Sequence, residues 1–284
     1  MATPHPLSGA ELFSVKGRVA VVTGAWTGIG LMIAQALAAN GAKVYITGRR
    51  LELLEKSAKI HGSPERLGNS GGSMVPLVMD VTDKESIKAA VDAITAKESK
   101  VDILVNNAGI YTVPPGVKPE DGPEKYSAGL FSESIEDIWQ KSKSPHLPQP
   151  VYASAFGQFA YAASKAGTLH LTRQMAYELF QDGLNIRVNA IAPGPTPTAL
   201  TSQGNVDEEN QGIVSDEIFA YIQNVCGLTT KRWNTPQEIS SASLRSNLEK
   251  HRVQAVLTLA TNGHIVGQVI PIDGGELVKH PGVL

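Results

Sequence analysis

Tyr161 and Lys165 lie four residues apart, a spacing that places a phenol and an ammonium one turn apart on the same face of a helix. A cation beside a phenol favours the phenolate and lowers the pKa of the tyrosine from about 10 towards neutrality. Such a tyrosine can protonate the alkoxide that forms when hydride reaches a carbonyl carbon, or take the proton in reverse. By itself the spacing proves little, because in a chain of this length a lysine can lie four residues after a tyrosine by chance.

A glycine-rich turn runs from Thr23 to Gly30, with glycines at positions 24, 28 and 30. Glycines there let the chain turn tightly and bring the backbone close to a pyrophosphate, while the following helix offers unpaired N–H groups. An ordinary turn between strand and helix is the alternative. Because the turn follows a short apolar run and precedes an amphipathic segment, the sequence favours a dinucleotide site.

Two arginines, Arg49 and Arg50, end the second predicted strand. An NAD site usually carries a carboxylate for the ribose 2′-hydroxyl about 20 residues after the glycines. Here the carboxylate is missing, and two guanidiniums could pair with a 2′-phosphate instead. The sequence therefore predicts NADP (NADPH) as the cofactor, the alternative being that both arginines belong to a solvated helix start.

The elements that would position these residues alternate between strand and helix. In the first half, the patterns predict strands at 19–22, 44–47, 74–79 and 101–105, and helices at 29–39, 51–59 and about 82–97. The last of these helices would open with a capping box whose first residue is Thr82. Further along, the patterns predict helices at about 134–141 and 157–180 and strands at 186–191 and 268–272. This order is typical of an α/β protein with a Rossmann-like, doubly wound parallel sheet.

Composition excludes several other classes of protein. The chain has 284 residues and a net charge of −2, which gives no electrostatic case for binding nucleic acid or an anionic membrane. No apolar run approaches a membrane span, and residues 1–14 do not resemble a secretory signal. With one cysteine, Cys226, and no cluster of metal-ligand type, the sequence predicts a cytoplasmic, metal-free protein.

Taken as an ordered set, the motifs resemble those of the classical short-chain dehydrogenases/reductases. They are Thr23-Gly24-xxx-Gly28-Ile29-Gly30, Asp80-Val81, Asn106-Asn107-Ala108-Gly109, Tyr161-xxx-Lys165, Pro193-Gly194 and Asp273-Gly274-Gly275. The resemblance is closest to fungal members that tailor small carbonyl or alcohol metabolites. It covers about residues 12–139, 152–235 and 255–275, and as a set the motifs are highly specific.

The resemblance implies one NAD(P)-binding domain over residues 1–284. Its cofactor half would span 16–110, residues 112–150 would be irregular, and the catalytic helix, substrate loop and last strand would span 152–275. The implied activity is that of an NADP(H)-dependent oxidoreductase interconverting a carbonyl and a secondary alcohol on a small molecule. Tyr161 would shuttle the proton.

The same resemblance implies a set of cofactor contacts along the dinucleotide. The pyrophosphate would lie against Gly24, Gly28, Ile29 and Gly30, the adenine against Asp80 and Val81, and the nicotinamide ribose against Asn107 and Lys165. Thr196 and Thr198 would lie along the nicotinamide carboxamide. Residues 199–235 would form a mobile substrate loop.

Between Trp139 and Tyr161 the sequence departs from the family pattern. The family needs a long helix there, then a central strand ending in a catalytic serine, yet this stretch is too short for both and holds three prolines. One central strand and its preceding helix are therefore predicted to be missing. Ser154 is the nearest serine, and it is either catalytic or a turn or cap residue.

A second departure is a solvated insertion at about 240–252. A loss at one junction and a gain at another is what altered splicing or a mistaken gene model would yield. The alternative function is therefore that of a non-catalytic dinucleotide-binding protein or a misspliced, inactive product. Loss of the long helix would also leave Leu169, Leu171 and Met175 uncovered, and we then expect no stable family dimer or tetramer. Trp26, where the family prefers a small residue, would either flank or crowd the adenosine.

Overall fold

A computed structural model of the chain describes residues 8–109, 122–125, 159–199, 201–202, 204–226, 232–240 and 255–273. The helices in these ranges are α1 (Gly9–Leu12), α2 (Gly28–Ala39), α3 (Leu51–His61), α4 (Pro64–Leu67), α5 (Lys84–Thr95), α6 (Phe159–Gln181), α7 (Asp216–Cys226), α8 (Pro236–Ser240) and α9 (Ala255–Thr261). The strands are β1 (Val19–Thr23), β2 (Lys43–Gly48), β3 (Ser73–Val78), β4 (Ile103–Val105), β5 (Ala190–Pro193) and β6 (Val269–Ile272).

The described residues fall into two compact units. The first unit takes its residues from Met1–Ala108, Thr196–Ile213 and Thr235–Ile265. The second takes them from Gly109–Pro195, Val214–Asn234 and Val266–Leu284.

The first unit is built on a parallel sheet with strand order β3-β2-β1-β4. Val21 lies at its centre, paired with Tyr45 on one side and Leu104 on the other. All five residues of β1 are buried, as expected for a parallel strand covered on both faces. The predicted α/β fold with a Rossmann-like parallel sheet is confirmed, and the strand order reverses beside β1, where such folds bind nucleotides.

Helix α2 follows β1 directly and packs on the sheet. Its apolar residues Leu31, Ile33 and Leu37 are fully buried. The helix ends at Asn40, and Gly41 follows at φ 98°, in the left-handed conformation that ends many helices.

The start of α5 differs from the predicted capping box. Asp83, not Thr82, is the N-cap, and its carboxylate accepts a hydrogen bond from the backbone N–H of Glu85 at 3.0 Å. Thr82 instead donates both its backbone N–H and its hydroxyl to Asp80. The short Asp83 side chain therefore takes the cap that the Thr-x-x-Glu spacing had predicted for Thr82.

In the second unit, β5 and β6 form a parallel pair that begins at Ala190 and Val269. The prediction of a strand over 186–191 was wrong by about four residues. Ile186 is 54% exposed and lies before the paired region. The strand position is therefore set by its pairing with β6 rather than by the local run of β-branched residues.

Helix α6 spans the region predicted to be a helix over 157–180, and Leu171 and Met175 on it are exposed, as expected. The expectation that Leu169 is uncovered was wrong. Leu169 is buried against Ala192, with Val269 packed beside them. The β5–β6 pair therefore covers the face of α6 that carries Leu169.

Helix α7 lies within residues 199–235, which were expected to form a mobile substrate loop. Ser215 precedes the helix, and its hydroxyl accepts a hydrogen bond from the N–H of Ile218 at 3.2 Å. Asp216 and Glu217 occupy the first turn, where carboxylates stabilise the positive end of a helix. This Ser-Asp-Glu start was the signal that could have predicted α7.

Several predictions lie outside the described residues. These are the helix at 134–141, the missing helix and strand, Ser154, and residues 241–252 of the insertion. No helix in the described part of the chain is both long enough and apolar enough to cross a membrane.

Candidate cofactor site and catalytic helix

The glycines of the first-unit turn are required by close backbone approaches. Gly24 and Gly28 adopt φ values of 64° and 58°, which strongly favour glycine. A Cβ on Gly24 would lie 2.7 Å from the Cα of Ala108, and one on Gly30 would lie 2.5 Å from Nδ2 of Asn107. Larger residues would push the chain after β4 away from the turn.

Asn107 links the end of β4 to this turn. Its backbone N–H donates to the hydroxyl of Thr23 at 2.8 Å, and its Nδ2 donates to the carbonyl of Gly24 at 3.0 Å. The side-chain Oδ1 is buried and has no partner among the described residues. A buried acceptor without a donor is costly, so the site fits a ligand with a hydroxyl to donate, such as a ribose.

The start of α2 supplies the cradle for an anion. Gly28, Ile29 and Gly30 form its first turn, where backbone N–H groups lack partners within the helix and carry the positive end of the helix dipole. Thr27 caps the helix without a side-chain cap bond, and its hydroxyl donates instead to the carbonyl of Asn210 at 2.5 Å. The turn therefore fits a dinucleotide phosphate.

Asp80 and Val81 follow β3 at the same edge of the sheet. Asp80 accepts hydrogen bonds from the backbone N–H and the hydroxyl of Thr82, and these bonds lower the pKa of its carboxyl, with a smaller contribution from the charge of Arg49. Val81 is exposed. Asp80 is therefore held as a carboxylate close to Arg49.

Arg49 and Arg50 are both exposed after β2. Among the described residues, no carboxylate lies within ion-pair distance of either guanidinium. The guanidinium carbon of Arg50 lies 4.3 Å from the centroid of the Trp26 ring. These side chains make the end of β2 positively charged, with no described carboxylate in an ion pair with either arginine.

Thr196 and Thr198 lie in the first unit, beside the glycine turn. A Cβ added to Gly28 would come within 3.0 Å of the Thr198 side chain. The backbone N–H of Thr198 donates to the hydroxyl of Thr201 at 2.9 Å, and the N–H of Thr201 donates back to the hydroxyl of Thr198 at 3.1 Å. The predicted contact of Thr196 and Thr198 with the carboxamide stays a prediction.

The sequence analysis missed a polar anchor between α3 and the chain at 205–212. Asn210 is buried at φ 61°, and its Nδ2 donates to the hydroxyl of Ser57 at 2.8 Å. Ser57 in turn donates to the carbonyl of Trp26 at 2.7 Å. An asparagine tolerates this backbone conformation better than most residues, which is the only signal the sequence carried.

His61 completes this anchor. Its Nε2 lies 2.8 Å from the carbonyl of Glu209, and its Nδ1 lies 2.8 Å from Nε2 of Gln35. Because a carbonyl can only accept, Nε2 donates to Glu209, and Nδ1 is placed to accept from the amide of Gln35. Arg66 also forms an ion pair with Glu209.

In the second unit, α6 carries both predicted catalytic residues. The backbone places Tyr161 one turn before Lys165, while the Tyr161 side chain lies outside what the structure describes. Lys165 is 2% exposed, and burial lowers its pKa to about 8. The ammonium is thus still the main form at pH 7, although less dominant than for an exposed lysine.

The turn at Pro193-Gly194 continues β5 in the second unit. The N–H of Gly194 donates to the carbonyl of Ile272 at 2.8 Å. Asn234 donates its backbone N–H to the carbonyl of Pro195 at 2.8 Å and its Nδ2 to the carbonyl of Ile272 at 2.7 Å. Asn234 therefore fixes this turn to the end of β6, a role that the sequence analysis did not predict.

The first unit thus brings together most of the predicted cofactor residues, namely Gly24, Gly28, Ile29, Gly30, Arg49, Asp80, Val81, Asn107, Thr196 and Thr198. Tyr161 and Lys165 belong to the second unit. In the described ranges, no group of three or more His, Cys, Asp or Glu side chains could hold a metal ion.

The sequence model of the family described as short chain dehydrogenase matches residues 18–127 and 152–209. The chain belongs to the short-chain dehydrogenase/reductase family. The match leaves 128–151 uncovered and includes both the glycine turn and the Tyr161–Lys165 pair. Members of this family are oxidoreductases that bind a nicotinamide dinucleotide.

Related proteins and structures agree with this assignment. The chain is 48% identical to the short-chain dehydrogenase/reductase VdtF of Byssochlamys spectabilis, over 97% of each protein. It is 31% identical to gluconate 5-dehydrogenase of Gluconobacter oxydans, over 96% of this chain and all of the relative. The structure of Pseudomonas aeruginosa RhlG with NADP in its active site matches with a TM-score of 0.61 and 28% identity, over 93% of this chain and 98% of that one.

Proposed function

We propose that this chain is an NADP(H)-dependent oxidoreductase that interconverts a carbonyl and a secondary alcohol on a small molecule of secondary metabolism. The observation that supports NADP(H) is the end of β2, where Arg49 and Arg50 stand in place of a carboxylate. A carboxylate there would bind the 2′-hydroxyl of NAD and repel the 2′-phosphate of NADP. The similarity to RhlG, which holds NADP, agrees with this choice.

The residues of the first unit provide hydrogen-bonding groups of the kinds that the phosphates and sugars of such a cofactor need. The turn at Gly24, Gly28, Ile29 and Gly30 suits the pyrophosphate. The buried Oδ1 of Asn107, which has no partner among the described residues, suits a ribose hydroxyl. When bound, a nicotinamide dinucleotide supplies or accepts the hydride. Asp80 and Val81 after β3 are proposed to contact the adenine.

The second unit supplies the proton chemistry in this proposal. The Tyr161 hydroxyl gives its proton to the carbonyl oxygen as hydride arrives, or takes it from the alcohol in the reverse direction. The buried ammonium of Lys165 favours the phenolate of a tyrosine one turn away. Lys165 also has donors for ribose hydroxyls.

Calorimetric titration with NADPH and NADH tests the cofactor. We expect NADPH to bind more tightly, and we expect the Arg49→Ala/Arg50→Ala double variant to lose that preference. Lys88→Ala, which removes an exposed cation paired with Asp92, is the control and should keep it. Equal affinities for both cofactors in the wild-type protein contradict the proposal. NADPH oxidation with a panel of ketones then tests the reaction.

A non-catalytic dinucleotide-binding protein is the second candidate. It is favoured by the stretch at 128–151, which the family match leaves uncovered and where the sequence lacks room for the helix and strand that precede the catalytic tyrosine. A protein that binds NADPH with a cooperative melt but reduces no ketone supports this candidate. Translation of the genomic DNA between the codons for Trp139 and Tyr161 shows whether a longer form carries the helix, the strand and a serine.

A further inference from the structure

Trp26 lies beside the end of β2, and the backbone around it is fixed by two hydrogen bonds. The N–H of Ala25 donates to the carbonyl of Thr47 at 3.1 Å, and the carbonyl of Trp26 accepts the Ser57 hydroxyl at 2.7 Å. A Cβ added to Gly48 would lie 4.0 Å from Cδ1 of the indole. The half-buried ring is therefore held next to the arginines that follow β2.

The two arginines are not equivalent in this arrangement. Arg50 lies over the indole at 4.3 Å, whereas Arg49 lies close enough to Asp80 for its charge to act on that carboxyl. A carboxylate nearby offsets part of the charge of Arg49. Arg50 lies over an aromatic face and forms no ion pair with a described residue, so its charge is the less compensated of the two.

We propose that Trp26 is a positioning residue that holds Arg50 for the 2′-phosphate of NADP(H), so that discrimination between NADP(H) and NAD(H) depends on the indole. This inference rests on the NADP(H) dependence proposed above. It assigns to Trp26 a role that the turn itself does not need, since the turn is shaped by its glycines.

The physical basis is the geometry of a guanidinium over a ring. The cation is attracted to the negative face of the indole, and its N–H groups point outward in its own plane, where they can donate two bonds to one phosphate. An exposed arginine otherwise loses side-chain freedom when it binds an anion. Stacking restricts Arg50 before binding and so lowers that loss.

The experiment measures the ratio of the affinities for NADPH and NADH by calorimetry, because these ligands differ only in the 2′-phosphate. Trp26→Leu keeps an apolar side chain without a ring, and Trp26→Phe keeps a ring. We expect Trp26→Leu to lower the ratio roughly two- to fivefold, the size of an exposed cation–π contact, and Trp26→Phe to retain most of it. Partial unfolding weakens both ligands alike, so the ratio reports discrimination even for a less stable variant.

The same substitution in an Arg50→Gln background separates positioning from packing. If Trp26 acts through Arg50, Trp26→Leu should not change the ratio further once the guanidinium is gone. An unchanged ratio in Trp26→Leu, or an equal drop with and without Arg50, overturns the inference while the wild-type preference for NADPH stands. A wild-type protein without that preference overturns the proposed NADP(H) dependence itself.

Discussion

The two compact units differ in how completely their strands and helices are covered. In the first, every residue of β1 is buried, and nine of the twelve residues of α2 are buried as well. In the second, β6 has no buried residue, and β5 buries only its last two. Among its described side chains, helix α6 exposes Leu171, Met175, Tyr177 and Phe180.

This difference also separates the residues predicted to bind the cofactor from those predicted to transfer the proton. The unit with the glycine turn is a parallel sheet with a packed helix, and its backbone contacts are tight enough to exclude a methyl group at Gly24 and Gly30. The unit with Lys165 carries a buried cation on a helix with an exposed apolar face. We infer that folding stability resides mainly in the first unit, while the activity depends on the second.

The largest expected effect is on catalysis. Where the wild-type protein reduces a ketone, Tyr161→Phe should lower kcat by about 10²- to 10⁴-fold, because the phenol is the proposed proton donor. NADPH affinity, measured by calorimetry, should stay within a few fold. Tyr177→Phe removes an exposed hydroxyl from the same helix and is the control. A fully active Tyr161→Phe protein would mean that the proton comes from another group.

The next prediction compares the loss in free energy of unfolding when a side chain is truncated in each unit, measured by denaturant unfolding. Ile46→Ala in β2 removes a fully buried side chain and should cost about 2–5 kcal/mol. Leu171→Ala on α6 removes a side chain that is 53% exposed and should cost about 0.5 kcal/mol or less. Similar costs at both positions would show that α6 is covered in solution.

We expect Lys165 to make the free energy of unfolding depend on pH in the alkaline range. Between its folded pKa of about 8 and its ordinary value of 10.5, the unfolded chain binds a proton that the folded chain does not. The free energy of unfolding contributed by this group therefore rises with pH across that window, by up to about 3 kcal/mol, and the burial cost is fully present below it.

The measurement is a series of urea melts from about pH 7.5 to about pH 10.5, the range between the two pKa values. Lys165→Met should lack the rise. Tyr45, whose pKa is raised mainly by burial, titrates in both proteins and cancels in the difference. An identical pH dependence in the two proteins would assign the rise to other groups.

The smallest expected change in free energy concerns the oligomeric state. With Leu171, Met175 and Leu104 exposed, we expect a monomer of marginal stability or an aggregate rather than the stable dimer or tetramer of the family. Light scattering on fresh protein decides this. A concentration-independent tetramer with a cooperative melt would mean that these surfaces are covered by contacts between copies of the chain.

The sequence predicted the first unit well because its signals are local. β1 and β2 are runs of apolar, mostly β-branched residues, and both were found within one or two residues of their observed ends. The glycine turn is defined by residue types that the backbone requires. The same reasoning misplaced β5, because Ile186 and its neighbours look like a strand, but the pairing of β5 with β6 starts only at Ala190.

Side-chain partners were the part that the sequence could not supply. The spacing of Arg49 and Arg50 indicated a phosphate site, but which arginine stacks on Trp26 depends on rotamers. The Asn210 anchor joins residues about 150 positions apart, and no local pattern marks such a contact. Whether Tyr161 meets the cofactor as the family resemblance implies stays a prediction.

The anchor at 205–212 has an evolutionary consequence. His61 and Thr27 reach this segment through the backbone carbonyls of Glu209 and Asn210, groups that every amino acid carries. Substitutions at Glu208 or Glu209 therefore leave those two bonds in place, whereas Asn210 is constrained by its positive φ and its bond to Ser57. The sequence at positions 208 and 209 can therefore change during evolution while the backbone bonds that hold this segment stay in place.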